Sequence, residues 1–116
     1  MKAVVYDRFG GPEVLRVADL AAPAARPGAA RVTVHAAALN PKDSLIRKGR
    51  FALLSGRHFP QGLGYDFAGT LDAPVAGFSA GERVFGMLPG FRGATLAETL
   101  IISPEHLARM PAGLSF

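Results

Sequence analysis

Glycine and proline punctuate this chain throughout, with 14 glycines and 9 prolines in 116 residues, and most of the runs between them are only long enough for a strand. Several of these runs are β-branched or alternate polar and apolar residues, the period of a half-buried strand. Such a pattern predicts a mainly β chain: short strands joined by turns, closing into a small, partly open β-barrel with one or two short helices.

Residues 2–6 and 14–17 read as two strands around a Gly10-Gly11-Pro12 turn, and so as an antiparallel hairpin. Residues 21–30, with Pro23, Pro27 and Gly28, read as an exposed loop, and residues 31–37 as a strand. Residues 41–48 form the one convincing helix. Asn40 suits its N-cap, Pro41 its first position, Asp43 the positive end of its dipole and Gly49 its C-terminal stop. Leu45 and Ile46 are expected to face the core. Residues 50–62 read as a long mobile loop. Strands resume at 64–72, 82–88 and 95–103, with turns at 77–81 and 89–93. There is no internal repeat.

The length suits one domain able to bury roughly two-thirds of its unfolded surface. Cysteine is absent, which excludes disulfides, thiolate nucleophiles and cysteine-built zinc sites. His35, His58 and His106 have no ligand-like spacing. The start lacks a signal-peptide apolar run, and no stretch approaches the roughly 20 apolar residues that cross a bilayer. A cytoplasmic protein is the expectation. The net charge of +4 is concentrated between residues 42 and 57, where Lys42, Arg47, Lys48, Arg50 and Arg57 oppose only Asp43. This basic edge reads first as a solvated loop and helix face; as a binding surface it suits a phosphate-bearing ligand better than nucleic acid, because no nucleic-acid motif or interleaved aromatic series accompanies it. The segment Gly62-Leu-Gly-Tyr-Asp-Phe-Ala-Gly69 superficially suggests a dinucleotide fingerprint. Phe67 occupies the third glycine position, and the segment reads as strand rather than strand, turn and helix.

A series of segments carries a resemblance over nearly the whole chain. It runs from Lys2-Ala-Val-Val-Tyr and Phe9-Gly-Gly-Pro-Glu-Val-Leu15 to Ala37-Ala-Leu-Asn-Pro-Lys-Asp43 and Ile46-Arg-Lys-Gly49. It continues through Gly64-Tyr-Asp-Phe-Ala-Gly69, Gly81-Glu-Arg-Val-Phe-Gly86 and Leu96-Ala-Glu98 to Pro111-Ala-Gly-Leu-Ser-Phe116. In this order they resemble the amino-terminal, GroES-like domain of zinc-independent, quinone-oxidoreductase-like members of the medium-chain dehydrogenase/reductase family. Two departures bear on the substrate class: residues 70–77 make a shorter turn than usual, and Thr99 stands where an aromatic is common.

The resemblance implies residues 1–116 as a GroES-like domain, with the Rossmann nucleotide-binding domain outside this chain. It implies NADP or NAD bound mainly by that other domain, no metal, and hydride transfer to a quinone or an α,β-unsaturated carbonyl. Zinc-dependent relatives hold their metal with a cysteine and a histidine where this chain has Asn40 and Tyr65, and they carry an acidic residue where it has Asp66. Asn40 and Tyr65 are therefore expected to donate hydrogen bonds to the substrate oxygen as charge develops, with Asp66 orienting them. Asn40, Pro41, Lys42, Asp43 and Ser44 are expected to approach the nicotinamide. Asn40 and Asp43 are equally explained as helix-start residues, and Tyr65 as a buried ring. The 116 residues alone are expected to be inactive and monomeric, and the complete enzyme homodimeric. An enoyl- or acryloyl-thioester reductase of the same group, and a non-enzymatic GroES-like interaction module, are the competing expectations.

Overall fold

The computed structural model describes residues 1–116. The chain opens with β1 (Lys2–Tyr6), a 3₁₀ turn at Pro12–Val14 and β2 (Leu15–Asp19), followed by β3 (Ala30–Ala38). Two short helices come next, α1 (Pro41–Arg47) and α2 (Ala52–Ser55), then β4 (Gln61–Gly62), β5 (Asp66–Leu71) and β6 (Arg83–Met87). β7 (Thr99–Ile102), a 3₁₀ turn at Pro104–His106 and β8 (Leu107–Arg109) complete it.

The strands form two antiparallel sheets, β2-β1-β4 and β7-β3-β5-β6-β8. Along β5 the burial alternates strictly, and Phe67, Gly69 and Leu71 face inward. They join Val32, Val84, Leu100 and Ile102 in the main core. Gly69 is required there because a Cβ would lie 2.2 Å from the Thr33 carbonyl oxygen, beside the β-bulge between Val34 and Ala36. The smaller sheet adds a lesser cluster of Ala3, Val5 and Ala18. The sheets meet where Val4 donates its N–H to Leu96 and Glu98 donates to Lys2, and they do not close into a full barrel. No helix is long and apolar enough to cross a membrane.

Several boundaries differ from the expectation. Residues 50–62 are not a plain loop: they carry α2 and β4, with Ser55 and Gln61 buried. The cause is a polar lock. Gln61 donates from Nε2 to the Gly56 carbonyl at 2.9 Å and accepts from the Tyr6 hydroxyl at 2.8 Å. Hydropathy is blind to such pairing. Strand β5 begins at Asp66 rather than residue 64, because Gly64 turns the chain with φ +84°. A further strand, β8, pairs with β6 beyond the last expected element. Leu45 is exposed, whereas Ile46 and Arg47 are buried. The helix is only two turns long, so its inward stripe is narrow, and the aliphatic stem of Arg47 takes a place expected of leucine.

Candidate functional site

The site grows from the start of α1. Asn40 stands at the N-cap in extended conformation, and Pro41 follows at the first helical position. Asp43, only 4% exposed, turns its carboxylate back into the protein. One oxygen accepts the Asn40 backbone N–H at 2.8 Å, and the other accepts the Gly64 N–H at 2.7 Å. The helix start is thereby fixed to the turn that leads into β5. Gly64 must be glycine on two counts: its φ is positive, and a Cβ would sit 2.2 Å from the Thr95 hydroxyl oxygen.

This tie brings Asn40 beside Asp66. The Asn40 Nδ2 donates to Asp66 Oδ2 at 2.5 Å. Asp66 lies in β5 between Ala38 of β3 and Met87 of β6. Asn40 is exposed, as are Leu39 and Met87, so the polar pair stands in an apolar surround open to solvent.

Tyr65 is placed differently. Its ring lies 4.0 Å from the Lys42 ammonium, which also caps Phe91 at 4.8 Å and donates to the Gly90 carbonyl. Its hydroxyl is buried without a hydrogen-bond partner. Burial, followed by the charge of Asp43 and the neighbouring Tyr6, pushes the Tyr65 phenol up to about 12. Asn40 faces outward with Asp66, while the Tyr65 hydroxyl is enclosed behind α1.

The expected cofactor-facing group divides in the same way. Asn40 and Pro41 are exposed, Lys42 and Ser44 are half-buried, and Asp43 is enclosed. Asn40 and Pro41 are thus the most accessible of the five. The basic edge also thins: Arg47 is buried and donates to the Gly10 carbonyl at 3.3 Å, and Lys42 is engaged, which leaves Lys48, Arg50 and Arg57 exposed. Nowhere do three or more histidine, aspartate or glutamate side chains gather as a metal-binding group would. The lock of Tyr6, Ser55, Gln61 and Arg92 under α2 had no sequence signal, since its members are joined by one distant side-chain pair, Tyr6 to Gln61, and by side-chain donors to the Ser55 and Gly56 carbonyls.

Two unclosed antiparallel sheets with a short helix seated beside the central strands define a GroES-like β domain. The alcohol dehydrogenase GroES-like domain family matches residues 26–112. The pig (Sus scrofa) quinone oxidoreductase is 34% identical over 92% of this chain and 35% of its own. The structure of the Coxiella burnetii quinone oxidoreductase superposes with a TM-score of 0.92 and 36% identity, over 100% of this chain and 38% of that one. The Escherichia coli quinone oxidoreductase, solved with NADPH, superposes with a TM-score of 0.86 and 25% identity, over 100% of this chain and 35% of that one. The chain belongs to the alcohol dehydrogenase GroES-like domain family, in the quinone-oxidoreductase-like group of medium-chain dehydrogenases and reductases. It spans about a third of the length of the curated relatives it matches.

Proposed function

We propose that this chain forms the substrate-side wall of an NAD(P)H-dependent oxidoreductase that reduces quinones or α,β-unsaturated carbonyls without a metal ion. The observation that carries this reading is the exposed Asn40 carboxamide held by Asp66. A carboxamide nitrogen bears two hydrogens. With one engaged by Asp66, the other is oriented and free to donate. A donor fixed in this way stabilises a carbonyl oxygen as it gains negative charge, without reorganising during the reaction. Asp66 is the positioning residue, and Asp43 sets where the helix start lies. The nicotinamide supplies hydride when bound. Asn40 and Pro41 offer the surface against which its ring would rest, and Leu39 and Met87 give an apolar border for a planar substrate.

Metal independence is supported by the chemistry of the side chains. A carboxamide is a poor zinc ligand, and the chain has no cysteine to supply a thiolate.

Replacing Asn40 by alanine in an enzyme that carries this domain together with its nucleotide-binding partner should lower kcat for a quinone acceptor by about 10²-fold, the scale of losing one oriented donor. Asp66→Asn should cost less. Turnover unchanged in Asn40→Ala would remove the basis of the reading, and loss of activity on chelation would remove its metal-free part. The 116-residue chain alone should not oxidise NADPH.

A thioester reductase is the second reading, favoured by the exposed Lys48, Arg50 and Arg57, which take part in none of the ion pairs. It requires turnover of a coenzyme-bound substrate to fall with salt, as phosphate recognition by exposed cations does.

A further inference from the structure

A partly enclosed apolar space lies away from Asn40 and Asp66. It is a cleft of about 310 Å³ where β1 and the loop after β2 face β7 and the segment before it, and neither Asn40 nor Asp66 lines it. Its walls are apolar, with Ala3, Leu20, Leu88, Leu96, Ala97 and Leu100 prominent. The space has a sequence origin. The inner face of the smaller sheet presents only Ala3, Val5 and Ala18, and Ala97 packs against them. Facing alanines leave a gap that larger aliphatic residues would fill, and apolar walls bind water poorly. The volume falls within the range of small-molecule sites.

Charge at the cleft is one-sided. No aspartate or glutamate lines it, while Arg26 does. Arg26 is exposed, takes part in no ion pair and makes no side-chain hydrogen bond. It also borders the adjoining hollow at Ile101 and Ile102, where the 20–29 loop passes β7. The register places the other end at Gly62, opposite Val5.

We infer that this cleft binds a small amphipathic carboxylate, its hydrocarbon body between the two sheets and its carboxylate on Arg26. An apolar slot with one unpaired guanidinium matches a monoanion with an aliphatic or aryl tail. A guanidinium accepts a carboxylate through two parallel hydrogen bonds, and an alcohol offers no equivalent. The site is separate from the Asn40–Asp66 pair and does not depend on what that pair does.

The test is titration of the ¹⁵N-labelled 116-residue chain with octanoate, 1-octanol and octylammonium, followed by amide chemical shifts. Octanoate should shift the Ala97, Leu100 and Ile101 amides saturably and should bind at least tenfold more tightly than octylammonium. Arg26→Ala should weaken octanoate at least tenfold and leave octanol unchanged, while Arg26→Lys, which keeps the charge and loses the fork, should fall between the parent and Arg26→Ala. The Arg26 side chain is exposed and makes no hydrogen bond or ion pair, so its replacement should leave the protein folded. Ala97→Leu, which fills the slot, should weaken octanoate and octanol together. The inference is overturned by the absence of saturable shifts, by equal affinity for all three probes, by an Arg26→Ala effect shared by octanol, or by shifts that map to Asn40 and Asp66.

Discussion

The carboxylate of Asp43 accepts the backbone N–H of Gly64 at 2.7 Å, across 21 residues of sequence. With its other oxygen on the Asn40 N–H, one enclosed side chain joins the start of α1 to the turn before β5. Every feature of the candidate site depends on that join.

Asp43 should therefore be structural before it is anything else. Asp43→Asn replaces one acceptor oxygen by a donor that faces a backbone N–H and leaves a buried group unpaired. The expected loss is about 2–3 kcal/mol, and somewhat more for Asp43→Ala. Urea denaturation measures it, and a Asp43→Asn variant within half that loss of the parent would refute the role.

Asn40 should separate stability from activity. Its side chain is exposed and bonds only to Asp66, so Asn40→Ala should cost no more than about 1 kcal/mol. The same substitution should reduce turnover strongly in the complete enzyme. A large loss of stability with activity preserved would invert the roles assigned to Asn40 and Asp43.

Gly64 meets two restrictions at once, a φ of +84° and the Thr95 hydroxyl 2.2 Å from where a Cβ would be. Gly64→Ala should cost about 2–4 kcal/mol, from left-handed strain plus overlap. Gly77 has a similar φ of +85° but open space around it. Gly77→Ala should lose only about 1 kcal/mol by the same denaturation measurement. Equal costs at the two positions would show that the contact with Thr95 has no consequence.

The chain has two tyrosines, Tyr6 and Tyr65, and both phenols are raised, chiefly by burial. The folded protein should show no tyrosinate absorbance step at the ordinary value near 10, and the Tyr65 step should appear only towards pH 12. The unfolded chain releases these protons first, so it binds fewer of them between about pH 10 and 12, and folding stability must fall as pH rises through that window. A normal step near pH 10 in protein that remains folded by circular dichroism would contradict the enclosure of both hydroxyls.

Much of the local structure was legible in the residues. β1, β3 and α1 fall close to where periodicity and helix-start chemistry put them, and Asn40, Pro41 and Asp43 occupy the positions their side chains suit. These are preferences of neighbouring residues for one another, and they survive without knowledge of the rest of the chain. The stretch 50–62 was not legible, because α2 is held by Gln61 and Arg92 donating to backbone carbonyls, with Tyr6 bonded to the Gln61 side chain, rather than by an apolar stripe. Leu45 shows the same limit from the other side: hydrophobicity marked it for the core, and a two-turn helix had no inward place for it.

The order of the motifs determined, without coordinates, a mainly β domain of the quinone-oxidoreductase-like kind and the residue types available to its site. Only the tertiary structure decided that Asn40 pairs with Asp66 while the Tyr65 hydroxyl is shut away, and that facing alanines leave a cleft beside Arg26. Side-chain direction depends on a buried carboxylate and a positive-φ glycine meeting across distant segments, and on which small residues oppose one another between sheets. Those are properties of contact, and the linear pattern of the chain does not contain them.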